Sequence, residues 1–113
     1  MFGFGKRTAR RDLDPRELKA MIDAGEALVV DVREPEEFAT GHIAGAVNQP
    51  LSRFDPTRLP AANGKTLVLN CAGGRRSATA VEQCATAGVA VNTHLTGGIG
   101  AWKAANLPVV TGA

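Results

Sequence analysis

The sequence predicts an α/β domain with a small, mainly parallel central sheet flanked by helices on both faces. Three observations carry that expectation. Ala27-Leu28-Val29-Val30-Asp31-Val32 and Thr66-Leu67-Val68-Leu69-Asn70 are apolar runs with no polar alternation, the pattern of strands buried on both faces. Segments with helical spacing alternate with these runs, as parallel strands joined by crossover helices require. The 113 residues suit one domain and leave no room for two.

The elements follow in order. Asp14-Pro15-Arg16-Glu17 starts a helix: Asp14 can cap, Pro15 suits the first helical position and Glu17 completes a capping box. Leu18, Met21 and Ile22 then share a face, and Gly25 ends the helix. The first buried strand covers residues 27–32. Pro35-Glu36-Glu37-Phe38-Ala39 forms one or two helical turns stopped by Gly41, and Ala46-Val47-Asn48 a short strand before Pro50. Pro56, Pro60, Asn63 and Gly64 make residues 52–64 an irregular or short-helical crossover. The second buried strand, residues 66–70, leads through a glycine-bearing loop into a helix from Ser77 to Thr86 with Gly88 past its end. Val89 to Leu95 reads as a third strand. Thr96-Gly97-Gly98 turns the chain into a last helix containing Ala101, Trp102 and Ala104, stopped by Pro108. Residues 1–12 read as a basic N-terminal tail carrying Lys6, Arg7, Arg10 and Arg11, and residues 13–113 as the domain.

Composition excludes several classes of function. Hydrophobic residues make up 44% and charged residues 21%, the balance of an ordinary globular domain. A net charge of +2 does not argue for nucleic acid, and the basic stretch lacks interleaved aromatics. No apolar run approaches the ~20 residues that span a membrane. Charge follows Met1-Phe2-Gly3-Phe4-Gly5 where a secretory signal would be apolar, so a reducing, cytoplasmic setting is expected. No Cys/His spacing suggests a metal, and no cofactor is expected.

The chemistry concentrates in Cys71-Ala72-Gly73-Gly74-Arg75-Arg76-Ser77. Cys71 stands at the carboxyl end of a strand, where open α/β sheets bind ligands. Gly73 and Gly74 let the backbone curl so that successive N–H groups form an anion nest, reinforced by the positive end of the helix that follows. An unperturbed thiol with a pKa near ~8.5 is only about 3% thiolate at neutral pH; a shift to roughly 6.5 makes about three-quarters of it thiolate. Cys71 is therefore the expected nucleophile, in preference to a buried structural cysteine. The loop alone leaves phosphate, arsenate and sulfur chemistry open.

This loop resembles the Cys-x-x-Gly-x-Arg-Ser signature of single-domain rhodaneses, the sulfurtransferases. Asp31-Val32-Arg33-Glu34-Pro35-Glu36-Glu37-Phe38, Gly41-His42-Ile43-Ala44-Gly45-Ala46 and Gly97-Gly98-Ile99-Gly100-Ala101-Trp102 resemble that family's other recurring segments, in its order, from about Asp14 to Val109. The resemblance implies that Cys71 takes the sulfane sulfur of a small anionic donor such as thiosulfate, becoming a persulfide, and passes it to cyanide or a thiol. It implies that the backbone amides of Ala72, Gly73, Gly74, Arg75, Arg76 and Ser77 hold the anionic sulfur, with Arg75 and Arg76 attracting the donor. Related phosphatases and arsenate reductases place five residues between cysteine and arginine; here four separate Cys71 from Arg76, which favours sulfur. The alternatives are a persulfide carrier serving a partner protein, with little free thiosulfate activity, and a catalytically silent interaction domain; retention of Cys71 and both arginines argues against the last.

Other residues have structural expectations beside functional ones. Arg33 could lend positive potential to the site, but a structural pair with Asp31 is preferred. His42 reads as structural rather than as a proton donor, and His94, within a strand pattern, as weaker still. Cys84, thirteen residues after Cys71, is a buried inert thiol rather than a resolving one. Trp102 anchors the last helix, and Arg53 and Arg58 are candidates for the pocket rim.

Overall fold

The computed structural model describes residues 9–113. Five strands form one wholly parallel sheet in the order β1-β5-β4-β2-β3: β1 Arg11–Leu13, β2 Ala27–Asp31, β3 Val47–Asn48, β4 Thr66–Asn70 and β5 Thr93–Leu95. Four helices alternate with them: α1 Pro15–Asp23, α2 Pro35–Thr40, α3 Arg75–Thr86 and α4 Gly98–Ala104. Two 3-10 turns, Leu51–Arg53 and Pro56–Arg58, occupy the expected crossover.

The two apolar runs form the middle of the sheet, and the period of two divides their side chains between two cores. Val29 and Val68 join Leu13, Leu18, Leu95, Ile99 and Trp102 beneath α1 and α4. Val30 and Leu69 join Cys71, Ala80, Val81 and Cys84 beneath α3. Both faces of β2 and β4 are thus covered, which is why neither run alternates.

Local signals set the helix ends. Asp14 accepts from the Glu17 amide at 2.8 Å while Glu17 accepts from the Asp14 amide at 2.9 Å, closing the capping box of α1. Glu34 and Glu37 close a similar box on α2. Trp102 is buried, and its indole N–H donates to Pro108 O at 2.8 Å, pinning the segment after α4.

Two expectations are corrected. The strand expected from residue 89 begins only at Thr93, because α3 ends in a Schellman turn. Gly88 (φ +73°) donates to Ala85 O and Val89 to Cys84 O, so Val89 and Val91 pack on the core as a loop. Arg11 and Asp12, expected in the basic tail, form β1 with Leu13. Leu13 buries its side chain, and the strand pairs in register with Thr93, His94 and Leu95. A three-residue edge strand with one buried side chain carries almost no periodic signal. Lys6 and Arg7 lie outside the described residues. No described helix is long and apolar enough to cross a membrane.

Candidate active site around Cys71

Cys71 follows β4 directly, and the chain returns as α3 four residues later. Gly74 makes that turn possible: it caps α3 at φ +100°, a backbone that L side chains avoid. Gly73 has no such need, since its φ is ordinary and a Cβ there would meet nothing within 4 Å. The expectation that both glycines curl the loop therefore holds for Gly74 alone.

The loop folds around its own sulfur. The Gly74 amide donates to Cys71 Sγ at 3.0 Å and the Ser77 amide, at the third helical position, at 3.3 Å. The Ser77 hydroxyl lies 3.5 Å from the same atom. Burial alone pushes the thiol up; the Ser77 hydroxyl and the amides of Ser77, Gly74 and Gly73 outweigh it, and the net shift is downward. The first turn of α3 adds its partial positive charge on the same side. The thiol is nevertheless only 1% exposed. Cys84, which lacks such donors, is pushed up by burial, as an inert core thiol should be.

A second loop holds the first. Ile99 N–H donates to Cys71 O at 2.8 Å and Gly100 N–H to Ala72 O at 3.0 Å, so the start of α4 satisfies two carbonyls of the cysteine loop. That approach requires glycine. A Cβ on Gly98 would lie 2.3 Å from Cys71 O and 2.7 Å from both Ala72 C and Ala72 O.

The arginines divide their tasks. Arg75 is exposed and, among the described residues, has no ion-pair partner. Arg76 is half-buried and grips Glu37 of α2 in a two-pronged pair at 2.7 and 2.9 Å, tying α3 to α2. The pair holds the Glu37 carboxyl down at about 2 against an ordinary 4.5, and raises Arg76. Glu37 therefore stabilises the fold above pH ~4.5, and that contribution is lost as the pH falls towards 2. Urea midpoints measured from pH 6 to pH 2.5 should fall for the wild type, and Glu37→Gln should flatten part of that fall.

Arg33 is buried and fully engaged elsewhere. Its guanidinium donates to both Asp31 oxygens (2.8–3.2 Å), to Gly41 O (2.8 Å) and to Glu37 O (3.3 Å). It clasps β2 to the end of α2 and makes no hydrogen bond to the cysteine loop. His42 donates from Nδ1 to Phe38 O at 2.8 Å, stacks on the Phe38 ring and pairs with Val110, a structural arrangement. Arg53 and Arg58 are exposed on the crossover.

The residue that sequence reasoning underrated is His94. It is buried, with Nδ1 2.8 Å from Ser77 Oγ and Nε2 3.0 Å from Asp12 Oδ1. No linear signal joins Asp12, Ser77 and His94. The β1–β5 register sets Asp12 opposite His94, and α3 brings Ser77 over both.

The chain matches the family model described as "Rhodanese-like domain" over residues 14–105. An uncharacterized protein of Synechocystis sp. is 47% identical over 96 residues, covering 85% of this chain and 54% of that protein, so the chain spans about half the length of this relative. A sulfurtransferase of Allochromatium vinosum is 31% identical over 90 residues, 80% of this chain and 84% of that one. The crystal structure of a rhodanese-related protein from Thermoplasma volcanium superposes with a TM-score of 0.75 at 36% identity, covering 88% of this chain and 97% of that one. With its parallel sheet, its Cys71 cradle and a family match covering most of its length, the chain belongs to the rhodanese-like domain family.

Proposed function

We propose that this domain is a sulfurtransferase in which Cys71 carries the sulfur as a persulfide. One observation carries the reading: a thiol at a strand end with two backbone amides and a hydroxyl converging on Sγ, its pKa lowered despite burial. Such a cradle stabilises a thiolate, and it can do the same for the extra sulfur of a persulfide anion.

In the first step the Cys71 thiolate attacks the outer sulfur of a donor such as thiosulfate. A new S–S bond forms, the donor's S–S bond breaks, and sulfite leaves with the electron pair. In the second step cyanide or a thiolate acceptor attacks the outer sulfur, and Cys71 departs as a thiolate, regenerating the starting state. The near-complete burial of the thiol suits this chemistry, because a terminal sulfur can enter a narrow loop that a phosphorus shielded by its oxygens cannot. Exposed Arg75 supplies positive potential at the loop for an anionic donor, and Arg76 adds to it from its pair with Glu37. A reducing, cytoplasmic setting accompanies the proposal, since the cycle needs a free thiol at Cys71.

The test is intact-mass measurement after incubation with thiosulfate, paired with a thiosulfate:cyanide assay. The expected result is an adduct of about one sulfur atom on Cys71, discharged by cyanide as thiocyanate. Absence of both adduct and turnover, with any persulfide donor tried, would refute sulfur transfer. An adduct formed only from a partner protein's persulfide would make the domain a carrier instead.

A further inference from the structure

We propose that Ser77, His94 and Asp12 form a proton relay that takes the proton from buried Cys71 and holds it on His94, whose imidazolium the half-exposed Asp12 carboxylate stabilises. For sulfur transfer this rests on the reading of Cys71 as the nucleophile; for the ionisation of the thiol it stands on geometry.

The path is continuous. Cys71 Sγ lies 3.5 Å from Ser77 Oγ, Ser77 Oγ 2.8 Å from His94 Nδ1, and His94 Nε2 3.0 Å from Asp12 Oδ1. Only its far end is open: Cys71, Ser77 and His94 are all buried, whereas the Asp12 side chain is 47% exposed. Water has little access to the thiol, and Ser77 is the side chain that shares a hydrogen bond with it. A proton leaving Sγ therefore has a route through the protein.

The hydrogen positions follow from chemistry. The carboxylate of Asp12 only accepts, so His94 Nε2 carries a proton and, in the neutral ring, Nδ1 bears a lone pair. Ser77 then donates to Nδ1, at a shorter distance than to its other acceptor, Gly74 O at 3.2 Å, and Ser77 Oγ can accept from the Cys71 S–H. Concerted transfer moves the thiol proton to Ser77 Oγ and the Ser77 proton to His94 Nδ1. The products are thiolate, intact hydroxyl and imidazolium; one proton has moved and none is lost. Ser77 now accepts from His94 and can turn its own O–H towards the thiolate, adding a third donor to the two amides.

The surroundings fit an acceptor that starts neutral. Burial pushes His94 down, the Asp12 charge opposes this, and Arg10 behind Asp12 adds to the downward push. Among the described residues the charged groups facing His94 are Asp12 and Arg10 on the β1 side, with the thiol itself reached through Ser77. Its register partner on β4 is apolar Leu69.

Because the two titrations are coupled, each should appear in the other's curve. The decisive measurement is the pH titration of the His94 ring by nitrogen NMR in the wild type and in Cys71→Ser. The expected wild-type result is the Nε2–H tautomer at neutral pH and a His94 curve with a second inflection at the Cys71 value; in Cys71→Ser that inflection vanishes. Alkylation of Cys71 by iodoacetamide, followed by peptide mass, reads the other side. In His94→Asn and Ser77→Ala the rate at pH 6.5 should fall about 3- to 10-fold, as the Cys71 thiol titrates higher without the relay, with a smaller fall in Asp12→Asn. A His94 curve indifferent to Cys71 would overturn the relay, as would an unchanged alkylation profile in folded His94→Asn. Neither measurement needs a sulfur donor. Lost coupling would therefore leave sulfur transfer standing, whereas intact coupling without a persulfide adduct would refute sulfur transfer alone.

Discussion

Replacing Cys71 by Ser should lower sulfur transfer by about 10³-fold or more and remove the persulfide adduct, with little change in stability. The loss is large because, in the proposed cycle, one atom supplies the nucleophile, the carrier and the leaving group. A serine hydroxyl titrates far above any pH the protein survives, and two amide donors cannot bring it within reach. Stability should hold because serine is nearly isosteric and its oxygen can still accept from the Gly74 and Ser77 amides that now meet sulfur at 3.0 and 3.3 Å. Mass spectrometry after thiosulfate treatment, beside thermal unfolding, checks both halves. Turnover retained in Cys71→Ser would place the chemistry elsewhere.

Gly98→Ala should damage the site from the far side. The backbone at Gly98 has φ +57°, which costs an L side chain about 1–2 kcal/mol before any contact is counted. The added methyl would then lie 2.3 Å from Cys71 O, so one of the two loops must move. The donors from Ile99 and Gly100 to Cys71 O and Ala72 O move with it. Displacing the cradle by about 1 Å is expected to lower turnover roughly 100-fold. Gly73→Ala is the contrast: it stands in the cysteine loop itself, yet its Cβ meets nothing within 4 Å, and turnover should stay within about 3-fold of wild type. Steady-state rates on the two variants, with unfolding midpoints, test the pair. Equal effects would mean that the contact between the loops does not position Cys71.

Much of this was legible in the chain. The unalternating runs at residues 27–32 and 66–70 read as strands covered on both faces, and the structure places them side by side at the sheet's centre. Asp14, Pro15 and Glu17 announced α1 because a capping box is local chemistry between neighbours. The setting of Cys71 was legible for a similar reason: strand, cysteine, glycine and helix follow one another within a dozen residues, and the amides that meet its sulfur belong to the same short loop. The fold family also followed from segments in order along the chain, as the match over residues 14–105 bears out.

What lay beyond the sequence was whatever depends on distant partners. Arg76 has, beside the donor attraction expected of it, a partner the chain does not announce: Glu37, 39 residues away, holds both its prongs. Gly98 looked like a turn residue; its role as the contact for the cysteine loop exists only because α4 starts against that loop. His94 read as a strand residue of little interest, and Asp12 as part of a tail. An edge strand of three residues carries no periodic pattern, so nothing in the chain placed Asp12 opposite His94, 82 residues on. The sequence by itself located the proposed nucleophile and its immediate cradle, because the groups around it come from backbone within a few residues of each other. Only the tertiary structure decided what surrounds them, because an ion pair, a steric contact and a proton path form between side chains that the sheet, and not the chain, makes neighbours.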